Sequence, residues 1–257
     1  MQNSEHILTD APPKADLRLA YGSDPNQYGE LRLPTGKGPF PAAMFLHGGF
    51  WRARYDLAYG GFLCAPLTRA GFVTWNVEYR RVGNPGGGWP GSFEDVTSAY
   101  RFLLQLAGKY AIDLKRVLVL GHSAGGELAL ALAAHHNSSI HAAVSLAGVL
   151  NLHRAWDLHL SHDAVAEFLG GSPEQVPEHY REASPSDLEI HCPQLIVHGA
   201  KDDTVPIQMS QDYVNEKKAK HEKVKLLEFA EAGHFEIVDP QSSVWPAIQE
   251  ALLRVSE

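Results

Sequence analysis

A serine works as a nucleophile only where a base takes its proton and a carboxylate orients that base. This chain of 257 residues offers all three in one order. Gly121-His122-Ser123-Ala124-Gly125 follows the apolar run RVLVL (116–120) and leads into an alanine-rich stretch. A GxSxG between a strand and a helix holds its serine on a sharp turn with the hydroxyl exposed, and the glycines keep side chains out of the crowded turn. Alone, the motif also describes an ordinary glycine turn with a capping serine. Downstream, QLIVH (194–198) ends in Gly199-Ala200-Lys201-Asp202-Asp203-Thr204-Val205-Pro206, and VKLLEF (224–229) precedes Ala230-Glu231-Ala232-Gly233-His234-Phe235. Ser123, Asp202 and His234 each follow a strand candidate, in the order nucleophile, acid, base. One of the adjacent Asp202 and Asp203 is a turn-capping aspartate. Position relative to Val205-Pro206 favours Asp202 as the acid.

Acyl transfer also needs donors for an oxyanion. The segment Phe45-Leu46-His47-Gly48-Gly49-Phe50-Trp51 follows the first parallel-strand candidate, and its glycine pair lets the backbone turn amides toward one point. Gly49, Phe50 and Ala124 are the candidate donors. His47 is expected to orient that loop, and His122 and His198, at strand ends, to shape turns. Trp51, Tyr79 and His122 are the candidate substrate contacts; Trp89 could line the same pocket or belong to the core, as aromatics near strand ends often do. His153, His159, His162 and Asp163 gather between 150 and 192 without a metal-ligand spacing and read as polar surface. Gly86-Gly87-Gly88 lacks the lysine and helix opening of a phosphate loop. No metal and no cofactor is expected.

These residues need elements to hold them. AAMFL (42–46), FVTWNVE (72–78), RVLVL, HAAVSLA (141–147), QLIVH and VKLLEF are mostly near-continuous apolar runs, the pattern of strands buried on both faces of a parallel sheet. Amphipathic stretches between them predict right-handed crossover helices. One starts at Ser92-Phe93-Glu94-Asp95, read as a Ser92 N-cap with an acid at N3, and carries Leu103, Leu104, Leu106 and Tyr110 as an apolar stripe. Others are expected over 127–134, 212–220 and 245–255. DLRLAY (16–21) and GELRLP (29–34) could pair antiparallel at one edge. Residues 150–192, with a short helical pattern at 161–169, break the rhythm and predict a cap or lid. Residues 1–15 are polar and expected to be loosely ordered, leaving 16–257 as a single domain.

Composition narrows the function classes. Lys and Arg number 22 against 30 Asp and Glu, a formal charge of −8, which argues against nucleic-acid and anionic-membrane partners. Two cysteines cannot make a disulfide framework. No apolar run reaches the ~20 residues of a membrane span, and the N-terminus lacks the basic, then apolar, pattern of a signal peptide. A cytoplasmic protein with a small-molecule partner is expected, a homodimer being left open.

With Ser123, Asp202, His234 and His47-Gly48-Gly49-Phe50-Trp51 assembled, the chain resembles the α/β-hydrolases. Within them it is similar to the kynurenine formamidase-like and hormone-sensitive-lipase-like esterases. The formamidase-like branch carries HGG, an aromatic and Trp, matched by His47 to Trp51, and GHSAG, matched by Gly121 to Gly125. Glu78-Tyr79-Arg80 and Phe93-Glu94-Asp95 are similar to the Tyr-Arg segment and acidic helix start of the lipase-like branch. That branch usually has a third glycine where Phe50 stands, which leans toward the formamidase-like side. The resemblance implies an α/β fold with a mostly parallel sheet of about eight strands, helices on both faces and a small cap. It implies a cofactor-free serine hydrolase acting on carboxylic esters. Hydrolysis of aryl formamides comes second, and a non-catalytic ligand-binding protein of the same fold is the remaining option. A peptidase is disfavoured, since the chain has no room for the propeller of the prolyl oligopeptidase-like relatives.

Overall fold

The computed structural model describes residues 4–136 and 139–257. Among them eight strands form one sheet: β1 (Leu17–Ala20), β2 (Tyr28–Arg32), β3 (Phe40–Leu46), β4 (Val73–Val77), β5 (Ile112–His122), β6 (Ala142–Leu146), β7 (Gln194–Gly199) and β8 (Val224–Phe229). Their order is β1-β2-β4-β3-β5-β6-β7-β8. The first two form an antiparallel edge, Leu17 opposite Leu31, and β2 joins β4 antiparallel; every later pairing is parallel. The apolar runs become strands because β4, β6 and β7 are buried along their whole length. The two edge strands alternate with partly exposed positions, as one-sided burial demands.

Successive side chains on the central strands serve opposite faces. Met44, Leu46, Val117 and Val119 join one core, with helices α3 (Gly91–Tyr110), α4 (Ala124–His135) and α8 (Ile207–Ala219). Phe45, Leu118, Leu120 and Val144 join the other, with α1 (His6–Thr9), α2 (Gly60–Arg69) and α9 (Trp245–Val255). The chain leaves β3 toward β4 and returns to β5 on β3's other side, so the β3–β5 junction is the point where strand order reverses. Open α/β sheets bind ligands outside the carboxyl ends of their strands at such a point. Leu46 stands opposite Gly121 there.

Three expectations need correction. Ser92 lies inside α3 and does not cap it: its hydroxyl donates to the Arg80 carbonyl and accepts the Gly88 N–H. The helix start is tied instead by Asp95, whose carboxylate takes the Arg80 N–H, Nε and Nη2 at 2.6–2.9 Å. The short helix expected at 161–169 begins only at Ala164, because His159, Ser161, His162 and Asp163 all sit at φ between 50° and 59°, which no right-handed helix accommodates. Finally, residues 4–9 are docked: Ile7 is buried in the core beside α2, and Ser4 Oγ donates to Asp239 at 2.7 Å.

The 150–192 stretch contains α5 (Leu152–Asp157), α6 (Ala164–Leu169) and α7 (Pro177–Ala183). It is fastened to the loop after β3 by Arg52, whose guanidinium reaches Glu167 Oε2 at 2.7 Å and the Ser161 hydroxyl and carbonyl at 2.9 and 2.8 Å. His159 bonds Asp163 at 2.6 Å at the surface, and His153 lies 3.5 Å from Asp187. Among the described residues no helix is long and apolar enough to cross a membrane.

Candidate active site

Strand β5 ends at His122, and α4 begins at Ala124, so Ser123 alone makes the turn, at φ 56° and ψ −122°. A non-glycine residue in that region is strained and is held by its surroundings. The Ser123 N–H donates to the Leu146 carbonyl of β6 at 2.9 Å. Both motif glycines are required by close approach. A Cβ on Gly125 would lie 2.1 Å from the Leu46 carbonyl oxygen, and one on Gly121 1.9 Å from that of Gly125. The loop after β3 abuts the serine as well, since a Cβ on Gly48 would lie 2.8 Å from Ser123 Cβ.

The acid and base meet across the neighbouring loops. His234 Nδ1 lies 2.7 Å from Asp202 Oδ2, and Asp202 Oδ1 accepts the Thr204 and Val205 N–H groups, each at 2.8 Å. A carboxylate only accepts, so His234 carries its proton on Nδ1 and leaves Nε2 with a lone pair. Asp202 therefore is the aspartate that meets the histidine; Asp203 is exposed and accepts from the Thr204 hydroxyl at 3.3 Å. Burial would raise the Asp202 carboxyl. Hydrogen bonds from His198 and His234 outweigh it and hold the group well below the usual carboxylate range. The Ser123 hydroxyl forms no hydrogen bond to His234 among the described residues. Such contacts are often long in ligand-free sites and tighten with substrate.

His122 joins the two halves. Its Nε2 donates to the His234 carbonyl at 3.0 Å, and its Nδ1 accepts from the Tyr59 hydroxyl at 2.9 Å. Tyr59 in turn accepts the Gly48 N–H. Burial first, then the nearby His234, pushes the His122 pKa well below its ordinary value, so the ring is neutral. Tyr59 thereby occupies the Gly48 amide. Gly49 (φ 111°) and Phe50 (φ 50°) turn their backbone on into the next loop. Their N–H groups donate to nothing among the described residues. Ala124 opens α4, where first-turn N–H groups lack partners within the helix.

The expected substrate contacts are not at the surface of the site. Trp51, Tyr79 and His122 are all buried, and their polar atoms are used internally. Trp51 stacks on Phe168 of α6 at 4.5 Å and donates from Nε1 to Glu127 Oε2 at 2.9 Å. Tyr79 stacks on His47 at 4.5 Å and donates to the His47 carbonyl at 2.8 Å. These aromatic rings hold the glycine loop in place. Trp89 stacks on Phe93, and its backbone N–H donates to the Phe168 carbonyl. Glu127, one turn after the serine, is fully buried, its Oε1 has no partner among the described residues, and burial pushes its pKa well above the ordinary carboxylate value.

Sequence reasoning named Glu78 only within the Glu78-Tyr79-Arg80 segment and gave it no role. It is buried after β4 and accepts from His47 Nε2 (3.1 Å), the Leu57 N–H (3.1 Å), the Tyr79 N–H (2.9 Å) and Arg81 (3.2 Å). The signal was available as the one charged residue in the run FVTWNVE (72–78).

Sheet order, the serine turn after β5, and an acid and a histidine after β7 and β8 together define the α/β-hydrolase fold. The chain superimposes on a truncated carbohydrate esterase from gut microbiota with a TM-score of 0.81 at 21% identity, covering 96% of this chain and 99% of that one. With esterase B from Lactobacillus Rhamnosis (HN001) the TM-score is 0.82 at 18% identity, over 98% and 89%. The chain belongs to the BD-FAE family, whose model matches residues 30–216. It is 29% identical to the uncharacterized peptidase YtmA of Bacillus subtilis (strain 168) over 217 residues, 80% of each chain. It is 25% identical to the probable isoprenylcysteine alpha-carbonyl methylesterase ICME of Oryza sativa subsp. japonica over 244 residues, 85% of this chain but 58% of that protein. The chain is an α/β-hydrolase. The lean toward the formamidase-like side drawn from Phe50 finds no support in these comparisons.

Proposed function

We propose that the protein is a cofactor-free serine carboxylesterase in which Ser123 is the nucleophile, His234 the general base and Asp202 the orienting acid. The observation that carries this reading is the His234 Nδ1 to Asp202 Oδ2 hydrogen bond of 2.7 Å beside a serine held at φ 56°. His234 Nε2 takes the Ser123 proton as Oγ attacks the ester carbonyl, and the ring becomes an imidazolium facing Asp202. The oxyanion receives the Gly49, Phe50 and Ala124 amides. The imidazolium returns its proton to the leaving alkoxide, and an acyl-serine remains. Water, deprotonated by the same nitrogen, attacks this ester and releases the carboxylic acid.

Ser123→Ala is expected to abolish turnover of p-nitrophenyl acetate and butyrate and labelling by a fluorophosphonate. Hydrolysis persisting near the wild-type rate in that variant would overturn the assignment. Including N-formylkynurenine in the same assay compares esters and formamides directly, and esters are expected to show the higher kcat/KM.

A further inference from the structure

Asp202 has a second histidine. His198, the penultimate residue of β7, lies with Nε2 3.2 Å from Asp202 Oδ2, the same oxygen that His234 Nδ1 approaches at 2.7 Å. His198 Nε2 also faces the Val205 carbonyl at 2.9 Å, and its Nδ1 faces Ser210 Oγ of α8 at 2.7 Å. A carbonyl and a carboxylate can only accept, so the ring hydrogen sits on Nε2, shared between the two. Nδ1 then accepts, and the Ser210 hydroxyl is its donor. His198 and Ser210 are both buried, so no water competes for these groups.

Resting on the proposed role of the acid, we propose that His198 is a positioning residue that fixes the Asp202 carboxylate for His234. Four N–H groups surround that carboxylate: two backbone amides bond Oδ1, His234 Nδ1 bonds Oδ2, and His198 Nε2, which bonds the Val205 carbonyl, lies 3.2 Å from Oδ2. With both oxygens bound, the carboxyl plane cannot rotate when His234 gains its proton. His198 also draws charge from Oδ2, which moderates how strongly Asp202 pulls on the His234 proton. The Ser210 bond polarises the ring and makes Nε2–H the better donor. The titratable groups around this line include His122, whose ring centroid lies 4.5 Å from that of His234, Glu236, which accepts the Gly233 N–H, Glu228 of β8 opposite His198, and Lys201 and Asp203 beside the acid. Among the described residues none of them hydrogen-bonds Oδ2.

The test is a kinetic and spectroscopic comparison of full-length variants with p-nitrophenyl butyrate. His198→Phe removes the donor and is expected to lower kcat about tenfold, the scale on which partners of reacting groups act, with KM within about twofold. The acid limb of its kcat/KM profile should move to higher pH, because Oδ2 then spends its charge on His234 alone. The low-field proton resonance of the His234–Asp202 hydrogen bond should shift with it. His198→Gln, which can present an N–H at the same reach, should restore kcat and the acid limb. Ser210→Ala should move both in the same direction by less, and it supplies the answer if His198→Phe fails to fold. A folded His198→Phe or Ser210→Ala enzyme with unchanged kcat, acid limb and resonance overturns the proposal. So does a loss of rate in which the limb and the resonance stay put, since that is simple loss of packing. Ser123→Ala, run alongside, separates the two readings: its activity decides the triad, and the His198 series decides the second histidine.

Discussion

Two of the buried histidine–carboxylate contacts at the ends of parallel strands, His234–Asp202 and His47–Glu78, differ in whether the histidine keeps an unused ring nitrogen. His234 meets Asp202 at 2.7 Å through Nδ1, and no acceptor or donor among the described residues takes its Nε2. His47 meets Glu78 at 3.1 Å through Nε2, while its Nδ1 bonds the Gly48 carbonyl at 2.8 Å and its face is covered by Tyr79. Distance and burial are alike in the two pairs. The difference is the unused nitrogen. An imidazole with both nitrogens bound is a bracket, here for the glycine loop, and an imidazole with one bound is an oriented base.

The largest effect that would sharpen this contrast is Asp202→Asn. It should keep the fold and lower kcat by roughly 10³–10⁴-fold, since an amide favours the wrong histidine tautomer; a loss under tenfold in steady-state assays would break the contrast. On the other pair, Glu78→Ala should act on stability first. It strands Arg81 and His47 in the core, at a cost of about 3–5 kcal/mol in urea unfolding. An unchanged unfolding midpoint would show that this pair supports nothing.

The third test uses pH. Burial raises both carboxyls, and their hydrogen-bonded and charged partners more than offset it, so Asp202 and Glu78 are both depressed in the folded state. Each therefore contributes stability above ~4, where an unfolded carboxyl is ionised, and loses it as pH falls through the folded value. Melting temperature should drop less steeply between about pH 5 and 3 in Asp202→Asn than in the wild type; equal slopes would remove Asp202 from that balance. Smallest of all, Tyr79→Phe deletes one buried hydrogen bond to the His47 carbonyl and should cost about 1 kcal/mol, with kcat within a few-fold. A collapse of kcat in that variant would show the bracket to be nearer the chemistry than its geometry indicates.

How much of this was legible follows from how local each feature is. The turn around Ser123 was readable because its requirements are short-range: an apolar strand, two glycines where backbone passes within 2.1 Å of their Cβ positions, and a small-residue helix. The long strands were readable because burial on both faces leaves continuous apolar runs. Ser92 looked like a cap and is not one, because Arg80 and Gly88, brought up by β4 and the following loop, claim its hydroxyl. Trp51 and Tyr79 looked like pocket aromatics. Their direction depends on Glu127 and Phe168 in one case and His47 in the other, residues up to 117 positions away. The histidine at position 198 stands four residues before the acid, a spacing visible in the chain, yet only the turn at 199–205 folds its ring back onto that acid.

By itself, then, the amino-acid order determined which strands form, where the serine turn falls and which acid and histidine follow the last two strands, because each rests on neighbours within a few residues. Tertiary structure alone decided that His234 keeps a free nitrogen where His47 does not, and which aromatics turn inward. It also decided that Asp202 answers to two histidines. Those outcomes depend on atoms meeting across the sheet, and hydrogen-bond direction is set only where they meet.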